Sequence, residues 1–513
     1  MNRESPSVAG TAPSWSADVI AGVSVALVLI PQSMAYAELA GMPPWHGLYT
    51  AAAAPVLAAP FVSSRYLQTG PGALTCLLTA GALAGLAPAE SAEYVGLAAV
   101  LALVVAGVRL GVGLMRWGGV AWLMSEPVLR GFTLGAAVLI FCSQLPAALG
   151  VSAGVEGSVV SRAGSAVASP DAWVGGAVAL SVVTVALMRW GKGIHPLFPS
   201  VLVAAALGLG ASRAGLPIGA TIGDVPSGFP PLQLDLPWSS LGTLLVPGVV
   251  IALVGFGEAA SISRTFAADD RERWDPDREF ISQGVANLAA GLWSGFPVGG
   301  SFARSSLAKL AGARTRWAGA VTGVVVLAAL PVAGLLSPLP RAILGATVVG
   351  AVLGLLDPRP LLSIWGKSRP QAAIGLATLI ATVAFAPHVE YGVVVGVGLS
   401  LVVHLWRETT VHVPVEVDGL TLRVWPAGVL WFGTAATLER GVLDALAAHP
   451  EAERLVVDLS GLGRIDFSGA LVLSRTVKEV REDGVLVVLE GAPPHARGLL
   501  ERVGVEWAEE ERP

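Results

Sequence analysis

Residues 66–87 read Tyr66-Leu-Gln-Thr69-Gly70-Pro71-Gly72-Ala73-Leu-Thr-Cys76-Leu-Leu-Thr-Ala-Gly-Ala-Leu-Ala-Gly-Leu-Ala87. A Gly/Pro turn, Thr69-Gly70-Pro71-Gly72, opens an apolar segment at 70–87. That segment falls short of the ~20 residues a helix needs to cross a bilayer. The device recurs far along the chain, where Pro297-Val298-Gly299-Gly300 opens the short segment 301–312. A helix that begins at such a turn begins part-way through the membrane. Its first N–H groups then lack both water and a preceding helical turn.

Composition makes lipid the solvent for these segments. Of 513 residues, 54% are hydrophobic and 13% charged, against about 25% charged in an ordinary soluble domain. The charge is unevenly spread. Residues 1–409 hold 20 acids and 22 bases, whereas residues 410–513 hold 17 acids and 10 bases. The chain divides accordingly into a polar N-terminal segment (1–17), a membrane part (18–408) and a small soluble domain (409–513). The N-terminal segment has Arg3 as its only base and no secretory signal pattern. The two cysteines, Cys76 and Cys142, lie in apolar runs, which excludes a disulfide scaffold or a CxxC centre.

About fourteen apolar segments follow one another: 18–37, 47–62, 70–87, 94–115, 127–150, 171–190, 198–214, 241–265, 278–296, 301–312, 316–337, 339–356, 369–386 and 389–407. The two turn-led segments are third and tenth, so they hold the same place in two sets of seven. Short, Gly/Pro-interrupted segments at matching places in two halves point to inverted repeats, here 18–214 and 241–407, with a binding site between them. With the N-terminus on the cytoplasmic side, the loops after even-numbered segments hold 16 bases, Arg109 among them, and the odd loops hold three. That bias predicts cytoplasmic N- and C-terminal segments in a cell inner (plasma) membrane.

Several strings read together. They are Asp18-Val-Ile-Ala-Gly22, Leu29-Ile-Pro-Gln-Ser-Met-Ala-Tyr-Ala37, Ala40-Gly-Met-Pro-Pro44, Ser63-Ser-Arg65, Thr69-Gly-Pro71, Gln283-Gly-Val-Ala-Asn287, Gly300-Ser-Phe-Ala-Arg-Ser305 and Ala311-Gly-Ala-Arg-Thr315. In this order they resemble the SulP (sulfate permease) family of anion transporters, which includes prestin. The tail resembles that family's STAS domain: two short strands over 420–432, a helix at 435–448, a strand at 455–459, then Ser460-Gly-Leu-Gly-Arg-Ile-Asp466-Phe-Ser468-Gly469 leading a helix to about 482, a strand at 485–489 and a helix near 493–503. The resemblance implies an α-helical polytopic membrane protein of seven-plus-seven inverted repeats, with core and gate domains, forming a homodimer.

The expected site lies between the third and tenth segments, lined by Thr69, Gly70, Gly72, Ala73, Ser301, Phe302, Ala303 and Arg304. Each half-helix N-terminus carries about +0.5 charge and unpaired donors, so two facing ends hold an anion. The plainer reading of Gly70, Gly72, Gly299 and Gly300 is close helix packing. An intramembrane arginine usually faces a polar cavity, and by resemblance Arg304 is the family's anion-site arginine; its alternative is snorkelling to the membrane edge. Ala303 stands where the family often has Ser. By resemblance Gln32 and Tyr36, one helical turn apart, line the pocket from segment 1 with Phe302 opposite; helix packing is the alternative.

Glu258 is the only acid of its span and by family analogy a proton carrier, the alternative being a structural pair with Arg304. Two helix ends supply about +1, Arg304 adds one and ionised Glu258 removes one. Protonating Glu258 therefore takes the site from about +1 to about +2, which suits a divalent anion. Sodium coupling stays open, with Thr69, Ser261 and Ser301 as hydroxyl partners. Glu38 is a second coupling candidate, able to gate or to pair with a base. Ser468 reads first as a helix N-cap and, by analogy with anti-sigma antagonists, as a phosphosite.

The chain has no HxxxH, HExxH, GxGxxG or GxSxG, and Leu361 breaks the Walker pattern before Gly366-Lys367-Ser368. These absences exclude an ATP motor and a hydrolase, and no cofactor or metal is expected. No basic nucleic-acid footprint is present. The partners expected are a small anion, the lipid bilayer and a second copy of the chain. The expected function is proton-coupled symport of sulfate or a dicarboxylate. The alternatives are sodium-coupled bicarbonate symport, an uncoupled exchanger or channel, and a membrane sensor acting through its tail.

Overall fold

The computed structural model describes residues 15–122, 125–151, 157–408 and 413–505. These fall into two compact units that divide between Val397 and Gly398.

The first unit is helical. In chain order it comprises α1 (Trp15–Leu39), α2 (Pro44–Ala58), the two-residue strand β1 (Thr69–Gly70), α3 (Ala73–Leu83), α4 (Ala92–Leu114), α5 (Glu126–Leu149), α6 (Val159–Ala168), α7 (Gly175–Trp190) and α8 (Ser200–Arg213). Then come α9 (Leu241–Asp269), α10 (Pro276–Leu292), the strand β2 (Gly299–Gly300), α11 (Phe302–Leu310), α12 (Trp317–Ala329), α13 (Arg341–Val352), the single turn α14 (Arg359–Leu362), α15 (Arg369–Ala384) and the start of α16 (Glu390–Glu408), within which the division falls. Every one of the fourteen apolar segments contains a helix. Two helices escaped the hydropathy reading: α6, whose run Val-Val-Ser-Arg-Ala-Gly-Ser is too polar to register, and the short α14.

The order helix–helix–strand–half-helix–helix occurs twice, and the packing obeys the same exchange. α4 packs on α10 as α12 packs on α2; α4 packs on α9 as α12 packs on α1. Elsewhere α5 packs on α15 as α13 packs on α7, and α5 packs on α13. Contacts thus gather into one bundle of α1–α4 with α9–α12 and another around α5, α7, α13 and α15. These are the core and gate that inverted repeats require. Among the described residues, six helices are long and apolar enough to cross a membrane alone, while Ala73–Leu83, Gly175–Trp190 and Ser200–Arg213 are shorter.

The family strings hold the core together. The Asp18 carboxylate, at the start of α1, accepts from the backbone N–H groups of Arg314 and Thr315 and from the Thr315 hydroxyl, at 2.8, 3.0 and 2.5 Å. That ties the beginning of α1 to the turn between α11 and α12. Gly47 lets α2 press on α1, since a Cβ there would lie 2.0 Å from the Ser33 carbonyl oxygen.

The second unit is the α/β tail. β3 (Val415–Asp418), β4 (Thr421–Val424), β6 (Arg454–Asp458) and β8 (Leu486–Glu490) form a sheet in that order, while β5 (Gly428–Leu430) pairs in parallel with β7 (Leu462–Ile465). Within the four-stranded sheet β3 and β4 are antiparallel and the remaining pairs parallel. The helices are α17 (Ala435–Ala448), α18 (Phe467–Glu482) and α19 (Pro494–Arg502). Their apolar faces bury Leu438, Val442, Leu473, Val477 and Leu500 against Leu455, Val457 and Val487 of the sheet. The α18 N-cap is Asp466, whose carboxylate accepts from the Gly469 N–H at 2.7 Å. This corrects the N-cap expectation for Ser468, which is the second residue of the helix and exposed.

Candidate functional site

The two turns meet. β1 and β2 pair antiparallel, Thr69 opposite Gly300 and Gly70 opposite Gly299, and the Ser301 N–H donates to the Gln68 carbonyl at 3.1 Å. α3 and α11 therefore both start at this ribbon, in the middle of the core. Neither N-cap residue, Gly72 or Ser301, gives its helix a side-chain cap. The first N–H groups of both helices are left without an intrahelical acceptor, as at any helix start.

Arg304, in the first turn of α11, is 1% exposed. Its Nη1 donates to Gln32 Oε1 at 3.2 Å, and Gln32 Nε2 donates to the Tyr36 hydroxyl at 3.3 Å. Gln32 and Tyr36 are both buried on α1, one turn apart beside Pro31. Arg304 Nε and Nη2 are buried with no hydrogen-bond partner. Nη2 points at the ribbon, 3.4 Å from where a Cβ on Gly70 would lie. Two unpaired guanidinium nitrogens beside two uncapped helix starts form an anion-binding arrangement. Glu258 on α9 is half-buried and within the electrostatic reach of Arg304 and Tyr36.

The other expected residues lie at varying distances from this arginine. Thr69 is buried, and its hydroxyl accepts from Gln283 Nε2 at 2.7 Å. Gly300 and Gly299 press on α9: a Cβ on Gly300 would lie 3.1 Å from Ala259 Cα, and one on Gly299 3.6 Å from the Gly255 carbonyl oxygen. Gly72 faces Thr75 and the Gly300 carbonyl. Ala73 is half-buried and Ala303 exposed at the helix starts. Phe302 is 53% exposed and stacks on Phe266 at 5.8 Å between ring centroids, at the far end of α9. Glu38 is remote, at the other end of α1, where its carboxylate pairs with Arg341 of α13 at 3.3 Å; Glu90 pairs with the same guanidinium at 3.3 Å. Ser261, one turn beyond Glu258, lines a cavity of about 620 Å³ with Arg264, Glu126 and Arg130, between α9, α5 and the α14 region.

Three residues that build the site were not singled out as such from sequence. Gln283, as above, holds Thr69. Asn287, one turn on, donates to the Val298 carbonyl at 3.2 Å and accepts from its N–H at 2.9 Å, fixing the chain just before β2. Both belong to the string Gln283-Gly-Val-Ala-Asn287, whose spacing puts two amides on one face of α10. The third is Arg109. Counted from sequence as a loop base, it is fully buried in α4 and donates to the carbonyls of Ala252, Val298 and Ile251 at 3.0, 2.8 and 3.3 Å. It clamps α9 and the β2 turn together and brings a second cation behind the site. The positive-side tally loses this one base and keeps fifteen against three.

Comparison with known proteins follows the same lines. The family described as "Sulfate permease family" matches residues 16–378, and "Mlab, STAS domain" matches 418–507. The chain is 37% identical over 527 residues to the Probable sulfate transporter MT1781 of Mycobacterium tuberculosis, covering 95% of this chain and 92% of that protein. It is 32% identical over 411 residues to Sulfate transporter 4.1, chloroplastic, of Arabidopsis thaliana, covering 78% of this chain and 59% of the plant protein's length. Among solved structures, the murine Solute Carrier 26 family member A9 anion transporter in the inward-facing state matches with a TM-score of 0.88 at 20% identity, covering 96% of this chain and 88% of that one. At that identity the likeness is one of fold.

Proposed function

This chain belongs to the sulfate permease family of membrane anion transporters, and from that premise we propose that it carries sulfate or a similar small dianion by proton-coupled symport. One observation supports the site above all others. The Arg304 guanidinium is buried in the core, next to two uncapped half-helix starts, with Nε and Nη2 unpartnered. A tetrahedral oxyanion supplies acceptors for both donors and for the backbone N–H groups of Ala73 and Ala303.

Glu258 is the proton carrier in this reading. Its location in the field of Arg304 makes its charge state part of the electrostatics the anion meets. Protonation adds one positive charge to the site, favouring a dianion; release of the proton favours release of the anion. The sequence carries no ATP motif, so an ion gradient drives uptake.

Alternating access has two supports. The Glu38–Arg341–Glu90 cluster links α1 of the core to α13 of the gate at one face. The cavity lined by Ser261, Arg264 and Arg130 opens the opposite side of the core. The excess of bases at the Asp18 face supports a cytoplasmic location for that face, in a plasma membrane. The family resemblance adds a homodimer.

The test is uptake of labelled sulfate by purified protein in liposomes under an imposed pH gradient. Accumulation above equilibrium that collapses with a protonophore supports symport. Equilibration that ignores the gradient refutes it, and a requirement for sodium moves the coupling to that ion.

A further inference from the structure

We propose that Arg264 of α9 and Glu126 of α5 form an ion pair that closes the Ser261 side of the core in the other half of the transport cycle, alternating with the Glu38–Arg341 pair; this rests on the alternating-access reading above. The exchange of repeats seen in the packing takes α1 to α9 and α13 to α5. Glu38 lies six residues beyond Gln32 on α1, and Arg264 lies six residues beyond Glu258 on α9. Gln32 accepts from Arg304 and Glu258 lies in its field, so both counts start beside the same arginine. Arg341 is the first residue of α13, and Glu126 is the first residue of α5. On one face an acid of the core meets a base of the gate. At the matching positions on the other face, a base of the core stands opposite an acid of the gate.

In this structure the first pair is made and α1 is packed on α13. α9 and α5 instead face each other across the cavity of about 620 Å³, whose charged lining groups are Glu126, Arg130, Arg264 and Asp357. These four sum to zero, so the space can close without burying net charge. Glu126 is held here by Arg130, one turn along its own helix, with 70% of its side chain exposed. Such a pair within one helix is weak, so Glu126 changes partner easily, and Arg130 keeps the Pro360 carbonyl as an acceptor. Asp357 accepts from the Arg359 N–H at 2.9 Å. Arg264 is half-buried and donates Nε to the Ala260 carbonyl at 3.3 Å, among other contacts; it need not be idle in this state. Rocking of the gate against the core parts Glu38 from Arg341 and brings Glu126 to Arg264. One core-to-gate pair is then present in each state, which keeps the two close in energy and lets the anion and its coupling ion decide between them.

The test is a charge exchange in the full-length protein in liposomes, read as labelled sulfate uptake and its acceleration by sulfate on the far side. Arg264→Glu sets like charges across the closing cavity and is expected to slow uptake about tenfold. Arg264→Lys keeps the charge and is expected to transport as the wild type does. Adding Glu126→Arg to Arg264→Glu restores the attraction and is expected to recover most of the lost rate. Cysteines at both positions, Glu126→Cys with Arg264→Cys in a Cys142→Ser background, give an independent reading if Arg264→Glu fails to fold. A short bifunctional thiol reagent is expected to join them and stop uptake until dithiothreitol restores it. Uptake that Arg264→Glu leaves intact, a double variant as slow as Arg264→Glu alone, or cysteines that never join would overturn the pair. Wild-type uptake with no acceleration by sulfate on the far side would instead remove alternating access itself, and the pair with it.

Discussion

Replacing Arg304 by Met separates a binding residue from a structural one. The arginine makes one side-chain hydrogen bond, to Gln32 at 3.2 Å, and leaves Nε and Nη2 buried and unpaired. A buried unsatisfied donor costs about 1–3 kcal/mol. Exchanging the guanidinium for a thioether of similar length therefore removes a penalty and one hydrogen bond together, and the thermal midpoint holds or rises. Binding behaves in the opposite way. Two charge-assisted hydrogen bonds to the anion are worth about 3–6 kcal/mol, which is two to four orders of magnitude in Kd. The assay is isothermal titration of the purified protein with sulfate, paired with a melting curve. Affinity kept within threefold would refute the site assignment. A large drop in midpoint together with lost binding would make Arg304 a structural residue, contrary to its unpaired donors.

Four further outcomes follow from the same geometry. Glu258→Gln fixes the site in its protonated charge, so sulfate uptake should lose its rise with falling pH; an unchanged pH profile of uptake would remove Glu258 as the carrier. Arg109→Met strips a charged donor from three buried carbonyls and should destabilise the protein by about 3 kcal/mol, read as a lowered thermal midpoint, whereas wild-type stability would show the clamp to be idle. Glu38→Gln breaks a partly exposed pair worth about 1 kcal/mol and should raise the labelling rate of Cys142, which lines a cavity with Arg341, about fivefold; an unaltered rate would show that the pair does not hold that face shut. Asp466→Ala should loosen the first turn of α18 by about 1 kcal/mol, seen by hydrogen exchange on the full chain, while Ser468→Ala leaves it unmoved.

Hydropathy made the membrane helices legible, because burial in lipid demands long apolar runs wherever they fall. It passed over α6, since a surface helix carrying Arg162 and two serines has no such demand. The matching turns before α3 and α11 were legible because Gly and Pro break a helix at the same place twice. The roles of Arg109, Gln283 and Asn287 were not, since each acts on backbone or a hydroxyl outside its own helix. Arg109 shows the difficulty most plainly: a base five residues from the end of a span looks like a loop residue, and only the carbonyls of α9 and the β2 turn make it a buried one. The tail shows a smaller version. Asp466 and Ser468 are both good N-cap types, and helix ends are the least certain feature of any sequence pattern.

The most direct test places an anion in the structure. Selenate has the shape and charge of sulfate and scatters anomalously, so a selenate complex locates it by its own signal. The geometry described here predicts one peak per chain in the core, within hydrogen-bonding distance of Arg304 Nη2 and of the N–H groups that begin α3 and α11. An ordered selenate elsewhere in the helical unit, with this position empty at saturating concentration, would contradict it.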